Sequence, residues 1–430
     1  MQRSLSDWLT WQASLNPRDI ELGLERVSRV VDLLSLARPS TTVFTVGGSN
    51  GKGSTVAFIE RLCMANGLST AAYTSPHLVR YNERMRLNGR EVSDEWLIEQ
   101  FEAVDTARGE TPLTFFEFGT LAALHGFSQA RVDAWILEVG LGGRLDAVNV
   151  IDPDISVVTT VALEHQEWLG DTVDAIAAEK AGILRRGRPA FYGDEPMPEG
   201  FRLAANKIGA HVSGAGIDFG YTQDKEGTWT WRGASTVLAG LPQSPPGDAA
   251  HMHNISLGLA AAEACDAEWL NRPAVECALV APRPPGRFQV FEGQVIEDQV
   301  TENNRQWIID VAHNPQAAGI LRQRLLALDD RRPMTVVIGL LADKQVADFV
   351  LQLADLADRW FVCSVDDVRG RDATELAMII SEAGGRNVTV AGTPEQAFVA
   401  ANAASRPGER MLVTGSFRVA GPALSWLGLY

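Results

Sequence analysis

Cysteine is scarce in this chain. Four thiols, Cys63, Cys265, Cys277 and Cys363, are spread over 430 residues, and no two form a C-x-x-C pair. This excludes a disulfide scaffold, argues against a thiolate zinc site, and points to a reducing compartment such as the cytoplasm. Positive charge is also short: 38 Lys and Arg face 54 Asp and Glu, a formal net charge of −16. A nucleic-acid partner needs a cationic footprint that is missing here. Anionic small ligands remain open, because backbone N–H groups and a few local cations capture those. No run of about 18 apolar residues occurs, which removes a membrane-spanning helix, and the first residues, MQRSLSDWLTWQ, lack the apolar core of a signal peptide. There is no internal repeat and no low-complexity tail.

What is present is an alternation of strand and helix signals. At 430 residues the chain is too long for one ordinary core, and two domains are expected. Apolar, β-branched runs at Val43–Val46, Ala134–Val139 and Ile155–Val161 read as strands buried on both faces, which suits a parallel sheet covered by helices. Helices are expected at Ser54–Asn66, Asp94–Arg108, Phe118–Gln129 and Thr172–Gly182, giving an α/β pattern. Residues 193–250 break the rhythm and read as short strands and loops, after which a helix resumes at Asn254–Ala264. Pro282, Pro284 and Pro285 cannot sit inside a helix, so the boundary is placed between residues 1–284 and a smaller domain, 285–430. There the alternation restarts at Trp307–Val311, Val336–Gly339, Trp360–Cys363, Val388–Val390 and Met411–Thr414.

Residues 43–58, VFTVGGSNGKGSTVAF, carry the strongest chemical signal. The common phosphate-loop pattern fails here, since it needs Gly where Val46 stands and a hydroxyl where Gly53 follows Lys52. The physical requirements are nevertheless met. A strand feeds a turn, Gly47, Gly48, Gly51 and Gly53 let backbone approach a ligand closely, and Ser54 and Thr55 open a helix whose N–H groups and dipole face an anion. Lys52 is the one cation in the loop.

The loop resembles the shortened G-x-x-G-K-G-S form of the folylpolyglutamate synthase and dihydrofolate synthase family, in the Mur ligase superfamily, with Ser49 where that family usually has Thr. The resemblance extends over most of the chain, from about residue 22 to 417. It is carried by Thr74-Ser-Pro-His-Leu78, Asn82-Glu-Arg-Met-Arg-Leu-Asn-Gly89, Glu138-Val-Gly-Leu-Gly-Gly-Arg-Leu-Asp146, Leu163-Glu-His-Gln-Glu-Trp-Leu-Gly170, Glu179-Lys-Ala-Gly-Ile183, Pro285-Gly-Arg-Phe288 and Asp310-Val-Ala-His-Asn-Pro315. The fold it implies is an N-terminal P-loop ATPase domain with a mostly parallel sheet, plus a smaller Rossmann-like α/β domain completing a cleft for ATP and glutamate.

The resemblance also implies roles. Ser49, Asn50, Gly51, Lys52, Gly53 and Ser54 bind ATP, with Asn254, Arg287 and Asp310. Ser75, Glu138 and His165 hold magnesium, and Lys180, as a carbamate, holds a second one. A buried Glu138 is costly unless paired or metal-bound, and its plainer partner is Arg144. For Lys180 the plainer alternative is an exposed helix lysine, and carbamylation requires a neutral amine. His313 lines the cleft and, with Lys52, His165 and Lys180, belongs to the catalytic set. Leu22, Gly23, Leu24, Thr114, Phe115, Phe116, Glu117, Leu145, Asp146 and Ala147 are placed around the pterin, where aromatic rings can stack, although aromatic pairs also build cores. Glu164 stands where most members have Asp and is given no role.

The activity implied is ATP-dependent ligation of L-glutamate to dihydropteroate and to reduced folates, with two magnesium ions and potassium, in a cytoplasmic monomer. Alternatives are a folylpolyglutamate synthase alone, another Mur-type amide ligase, and a nucleotide-dependent switch. A cell-wall Mur ligase would carry a separate N-terminal domain, for which the 46 residues before the loop leave no room.

Overall fold

The structure is a computed structural model. It describes residues 3–18, 20–36, 39–224, 227–242, 248–296, 299–328 and 330–430, with backbone alone over 294–296 and 299–304. The chain divides into two compact units. The first holds most of the residues up to Pro282; the second holds Arg283–Tyr430 together with His77–Tyr81 and a short stretch ending at Ala249.

Eight strands build the main sheet of the first unit: β1 (Thr42–Gly47), β2 (Thr70–Tyr73), β3 (Met85–Leu87), β4 (Arg90–Glu91), β5 (Ala134–Glu138), β6 (Ile155–Val158), β7 (Pro189–Tyr192) and β8 (His211–Gly214). Their order is β4-β3-β2-β5-β1-β6-β7-β8. The run from β2 to β8 is parallel, and β3 and β4 add antiparallel at one edge. A second, antiparallel sheet has the order β11-β10-β9, from β9 (Gly220–Gln223), β10 (Trp229–Arg232) and β11 (Val237–Leu241).

Ten helices accompany these sheets: α1 (Leu5–Ser14), α2 (Glu25–Leu33), α3 (Lys52–Ala65), α4 (Asp94–Arg108), α5 (Phe115–Ala130), α6 (Gln166–Leu169), α7 (Val173–Lys180), α8 (Glu199–Ile208), α9 (Ala249–Cys265) and α10 (Arg272–Val280). Helices cover both faces of the main sheet, as fully apolar parallel strands require. On one face Phe44, Val46, Ile136 and Val157 pack with Phe58 and Leu62 of α3 and Leu257 and Leu259 of α9. On the other, Val139, Val158 and Tyr192 pack with Ile176 of α7 and Phe201 of α8.

The second unit carries β12 (Gln289–Ile296), β13 (Gln299–Ile309), β14 (Met334–Ile338), β15 (Arg359–Cys363), β16 (Val388–Gly392) and β17 (Arg410–Thr414) in the order β12-β13-β17-β14-β15-β16. Only the β12–β13 pair is antiparallel. Separate apolar clusters lie on its two faces. Helix α11 (Pro315–Leu326) follows β13, with Asn314 accepting from the Ala317 N–H as its cap.

Four local expectations need correction. The stretch 193–250 is more than strands and loops, because α8 lies within it, burying Phe201 and Ala205 beneath flanking Pro198 and Gly209. Residues 243–247 of that stretch lie outside the described residues. Helix α9 begins five residues earlier than Asn254, so Asn254 is inside the helix. Helix α5 begins at Phe115, capped by Thr114, so the Phe115–Phe116 pair opens a helix. Helix α3 begins at Lys52, because Gly51 (φ +95°) is the residue that turns the chain into it.

Candidate active site

Strand register decides what surrounds the glycine loop. In the β1–β5 pairing Val46 lies opposite Glu138, and in the β1–β6 pairing Gly47 lies opposite Val158. The loop after β1 therefore emerges between the C-terminal ends of β5 and β6, where ligands bind in open α/β sheets. Helix α3 has no side-chain cap at its N-terminus, which leaves its first N–H groups for another acceptor. A Cβ on Gly51 would lie 2.3 Å from Asn254 Oδ1, so the turn fits only glycine and is backed by Asn254. Lys52 Nζ donates to Gly48 O at 2.9 Å and to Ser49 O at 3.3 Å, which places the ammonium across the mouth of the loop. These features form a cradle that fits a polyphosphate.

Glu138 ends β5 and is 4% exposed. Its Oε2 accepts the Ser75 N–H at 3.2 Å, so the two hard-oxygen residues assigned to magnesium are adjacent. Arg144 is not the partner of Glu138. Its guanidinium grips Glu179 at 2.9–3.2 Å. His165 caps α6 with left-handed backbone, φ +47°, uncommon for a residue other than glycine. Among the described residues, no three His, Cys, Asp or Glu side chains gather as a metal-holding group. The expected set of a hydroxyl, a carboxylate, an imidazole and a carbamate contains only two such residues. The oxygen donors of Ser75 and Glu138 suit a hard divalent cation.

Lys180 ends α7 and is 1% exposed, so it is no surface lysine. Its Nζ donates to Glu164 Oε1 at 2.8 Å. Burial and the charge of Lys52 pull the Lys180 pKa down, against the opposing pull of Glu164 and Asp146. Burial works against ionised Glu164 too, but Lys180, Lys52 and a hydrogen bond from Ser49 outweigh it and hold the carboxyl well below its usual range. Asp146 Oδ2 accepts the Leu141 N–H at 2.8 Å and Oδ1 the Val148 N–H at 3.0 Å. Burial nonetheless pushes its carboxyl up to about 6, opposed by those bonds and by Lys52. Lys52, Glu164, Lys180 and Asp146 thus form one coupled electrostatic group beside the loop. As an ammonium, Lys180 offers a metal no donor atom.

The three segments assigned to the pterin meet. Helix α2 follows Leu22–Leu24, α5 follows Thr114, and a short helical turn, Ala147–Val150, follows Asp146; these three pack on one another. Arg26 joins two of them. Its Nη2 reaches Glu117 Oε1 at 2.8 Å and Glu21 O at 2.8 Å. Glu117 Oε2 also accepts the Thr114 N–H at 2.8 Å in a capping box. Glu117 is therefore engaged in holding the corner. Phe118 is fully buried, whereas Phe115 and Phe116 are half-buried and retain ring surface for a ligand. The Arg84 guanidinium lies 5.7 Å from the Phe115 ring centre, and Phe116 packs 6.1 Å from Tyr73. Leu145 and Ala147 flank the buried Asp146.

In the second unit Asp310 follows β13 and accepts from the Phe288 N–H at 2.9 Å and the Ala312 N–H at 2.8 Å. Burial raises its carboxyl pKa, against the charges of Arg324 and Arg287. Arg287 lies 5.1 Å from the Phe417 ring centre and the His313 ring lies 6.2 Å from it. Phe417 gathers these two residues around itself. Cysteine has no part in either group: all four are free, and burial pushes the Cys63 and Cys363 thiols up to about 12.

Comparison with known proteins decides the family. The Mur ligase middle domain matches residues 46–223 and the Mur ligase glutamate ligase domain matches residues 286–417. The dihydrofolate synthase/folylpolyglutamate synthase of Escherichia coli K12 is 39% identical over 413 residues, covering 96% of this chain and 93% of that one. The chain belongs to the dihydrofolate synthase/folylpolyglutamate synthase family. A solved Escherichia coli member, in complex with DHPP and ADP, aligns with a TM-score of 0.91 at 36% identity over 99% of this chain and 98% of that one. A bifunctional folylpolyglutamate synthase/dihydrofolate synthase with Mn, AMPPNP and L-glutamate bound aligns with a TM-score of 0.88 at 36% identity, with the same coverage.

Within this family member, sequence reasoning missed Arg26, Glu164 and Phe417. Arg26 and Glu164 carry charges whose partners are 91 and 16 residues away, which no local pattern reports. Phe417, after the Gly415-Ser416 turn that ends β17, had a signal in that strand–turn–aromatic order.

Proposed function

We propose that this protein joins L-glutamate to dihydropteroate, giving dihydrofolate, and to reduced folates, giving γ-linked folylpolyglutamates, with ATP as the energy source. One observation carries the reading: the coupled group Lys52–Glu164–Lys180–Asp146 runs from the phosphate loop to the corner where the three segments assigned to the pterin meet. Such a link supports a carboxylate substrate held beside the terminal phosphate of a nucleotide. The ligands of the solved relatives support it.

ATP is held by residues 49–54 with its phosphates on the N–H groups opening α3, and Lys52 turns from its carbonyl partners to the terminal phosphate. Asn254, Arg287 and Asp310 hold the rest of the nucleotide. Phe115 and Phe116 stack on the flat ring system, with Leu22, Gly23, Leu24, Leu145, Asp146 and Ala147 around it and Thr114 and Glu117 shaping the corner. A carboxylate oxygen of the substrate attacks the γ-phosphorus, the bond to the β-phosphate oxygen breaks, and an acyl phosphate and ADP result. The glutamate amine then attacks the acyl carbon and phosphate leaves with its bonding electron pair, the amine losing a proton. Positioning and charge neutralisation carry most of such phosphoryl transfers. Ser75, Glu138 and His165 would hold magnesium, which would supply charge neutralisation at the phosphates. Lys180, if carbamylated by carbon dioxide, would offer oxygen donors to a second ion, a state that needs Glu164 to release the amine. His313 lines the glutamate side, and water must be excluded or the acyl phosphate hydrolyses. A potassium requirement, a monomeric state and a cytoplasmic location complete the proposal.

Glutamate-dependent ADP release, with dihydropteroate and tetrahydrofolate offered separately, tests it. Release with both is expected. Release with tetrahydrofolate alone would reduce the protein to a polyglutamate synthase, and release with neither would remove the assignment.

A further inference from the structure

The loop after β6 is joined to the phosphate loop by more hydrogen bonds than a strand end needs. Thr159 Oγ1 donates to Asn50 O at 2.7 Å, and Thr160 Oγ1 accepts the Asn50 N–H at 3.1 Å while lying 3.3 Å from Asn50 O. Thr160 O accepts the Ser49 N–H at 2.8 Å, and the Ala162 N–H donates to Ser49 Oγ at 3.0 Å. Asn50 is thus held at both its N–H and its carbonyl by two consecutive hydroxyls, immediately before the left-handed turn at Gly51 that opens α3. The same segment runs on through Glu164 to His165. Thr159 is fully buried, and its hydroxyl lies where any side chain on Gly48 would go, 2.0 Å from an added Cβ.

From this geometry we infer that Thr159 and Thr160 are positioning residues for nucleotide binding: they clamp Asn50, fix the Gly51 turn, and register the phosphate loop against the segment that bears Glu164 and His165. Neither residue needs to touch the nucleotide. An unclamped Asn50 would let the Gly51 turn sample other conformations, and the N–H groups opening α3 would bind phosphate only from the fraction that is correctly turned. The inference rests on the nucleotide reading above, and the two are separable by experiment.

A fluorescent ADP analogue is titrated into wild type, T160V, T160A and T160S, and the steady-state constants for ATP and L-glutamate are measured alongside. Wild type that fails to bind the analogue overturns the nucleotide reading itself. If it binds, T160V is expected to bind about tenfold more weakly, the size expected when a part-buried hydrogen-bonding pair is broken. T160S should recover most of the affinity, the KM for glutamate should stay within about twofold, and the melting temperature should barely move. Amide exchange at Asn50, measured without nucleotide, should quicken in T160V and not in T160S. T160A gives the same test if T160V does not fold. Unchanged analogue affinity in a folded T160V or T160A, or equal losses for ATP and glutamate, would overturn the clamp.

Discussion

Lys52 and Gly51 define the site at the scale of single residues. Lys52 is restrained by two carbonyls of its own loop and is the cation expected on the terminal phosphate. Lys52→Met should lower kcat/KM for ATP by about 100- to 1,000-fold, the usual consequence of removing a preorganised charge from a transition state, with little change in melting temperature; single-turnover ADP formation measures it. Gly51→Ala combines positive φ with a clash against Asn254, so about 1–3 kcal/mol of stability should be lost. Adding Asn254→Ala should recover only part of it, because the backbone strain remains; urea unfolding of the single and double variants separates the two contributions. Both residues were legible in sequence, since strand, glycines, lysine and helix are contiguous and the physics of anion binding is local. The Glu164–Lys180 pair was not. Whether a lysine at a helix end is solvated or buried against a carboxylate depends on packing between segments, and a single sequence does not contain that.

Corners between elements hold the proposed pterin side together. Arg26 ties α2 to the capped start of α5, and Arg26→Ala should let these helices part. The expected outcome is a rise of about tenfold or more in KM for dihydropteroate with the ATP constant unchanged; equal changes in both would mean general loosening. Elsewhere, Glu263 of α9 gathers the turn between β10 and β11, accepting the N–H groups of Ala234, Ser235 and Thr236 at 2.7–3.0 Å. Burial opposes its charge, but these bonds prevail and keep the carboxyl pKa below 4.5. A depressed folded-state value means that the stabilisation is present above about pH 4.5 and fades as pH falls through the folded-state value. Glu263→Ala should therefore cost about 1 kcal/mol at pH 7, the low end for a charged acceptor that is partly solvated, and almost nothing at the acid end; urea midpoints at the two pH values check this. Strands β1, β5 and β6 were legible from their short apolar runs, rich in β-branched residues in β1 and β6. Helix α8 was hidden because Pro196, Pro198 and Gly200 surround its start and mask a short amphipathic face. The three-stranded sheet was legible only as short strands, not as a sheet, because what seats it is burial between segments: Trp231 donates to Ser256 at 3.0 Å and Trp229 to Pro242 O at 2.7 Å.

Each of the two units has its own apolar clusters, and each can in principle melt separately. The proposed nucleotide contacts Lys52 and Asn254 belong to the first unit, and ADP with magnesium should raise its melting. A ligand at a hundred times its Kd adds about 2.7 kcal/mol, enough to resolve by calorimetry. That the chain forms two units was readable from its length, which exceeds what one core can bury. Which segments belong to which unit was not, because membership is a property of contacts. Leu78 shows this. It lies in the Ser-Pro-His-Leu loop after β2, yet it packs into the second unit's core with Val311, Val413 and Val419. The consequence is one for protein engineering. A chimera that exchanges residues 283–430 with a relative, or a fragment that expresses them alone, takes the wall and leaves out a peg supplied some 200 residues earlier. Exchange would have to carry the 77–81 loop along, because the second unit is assembled from separate pieces of sequence.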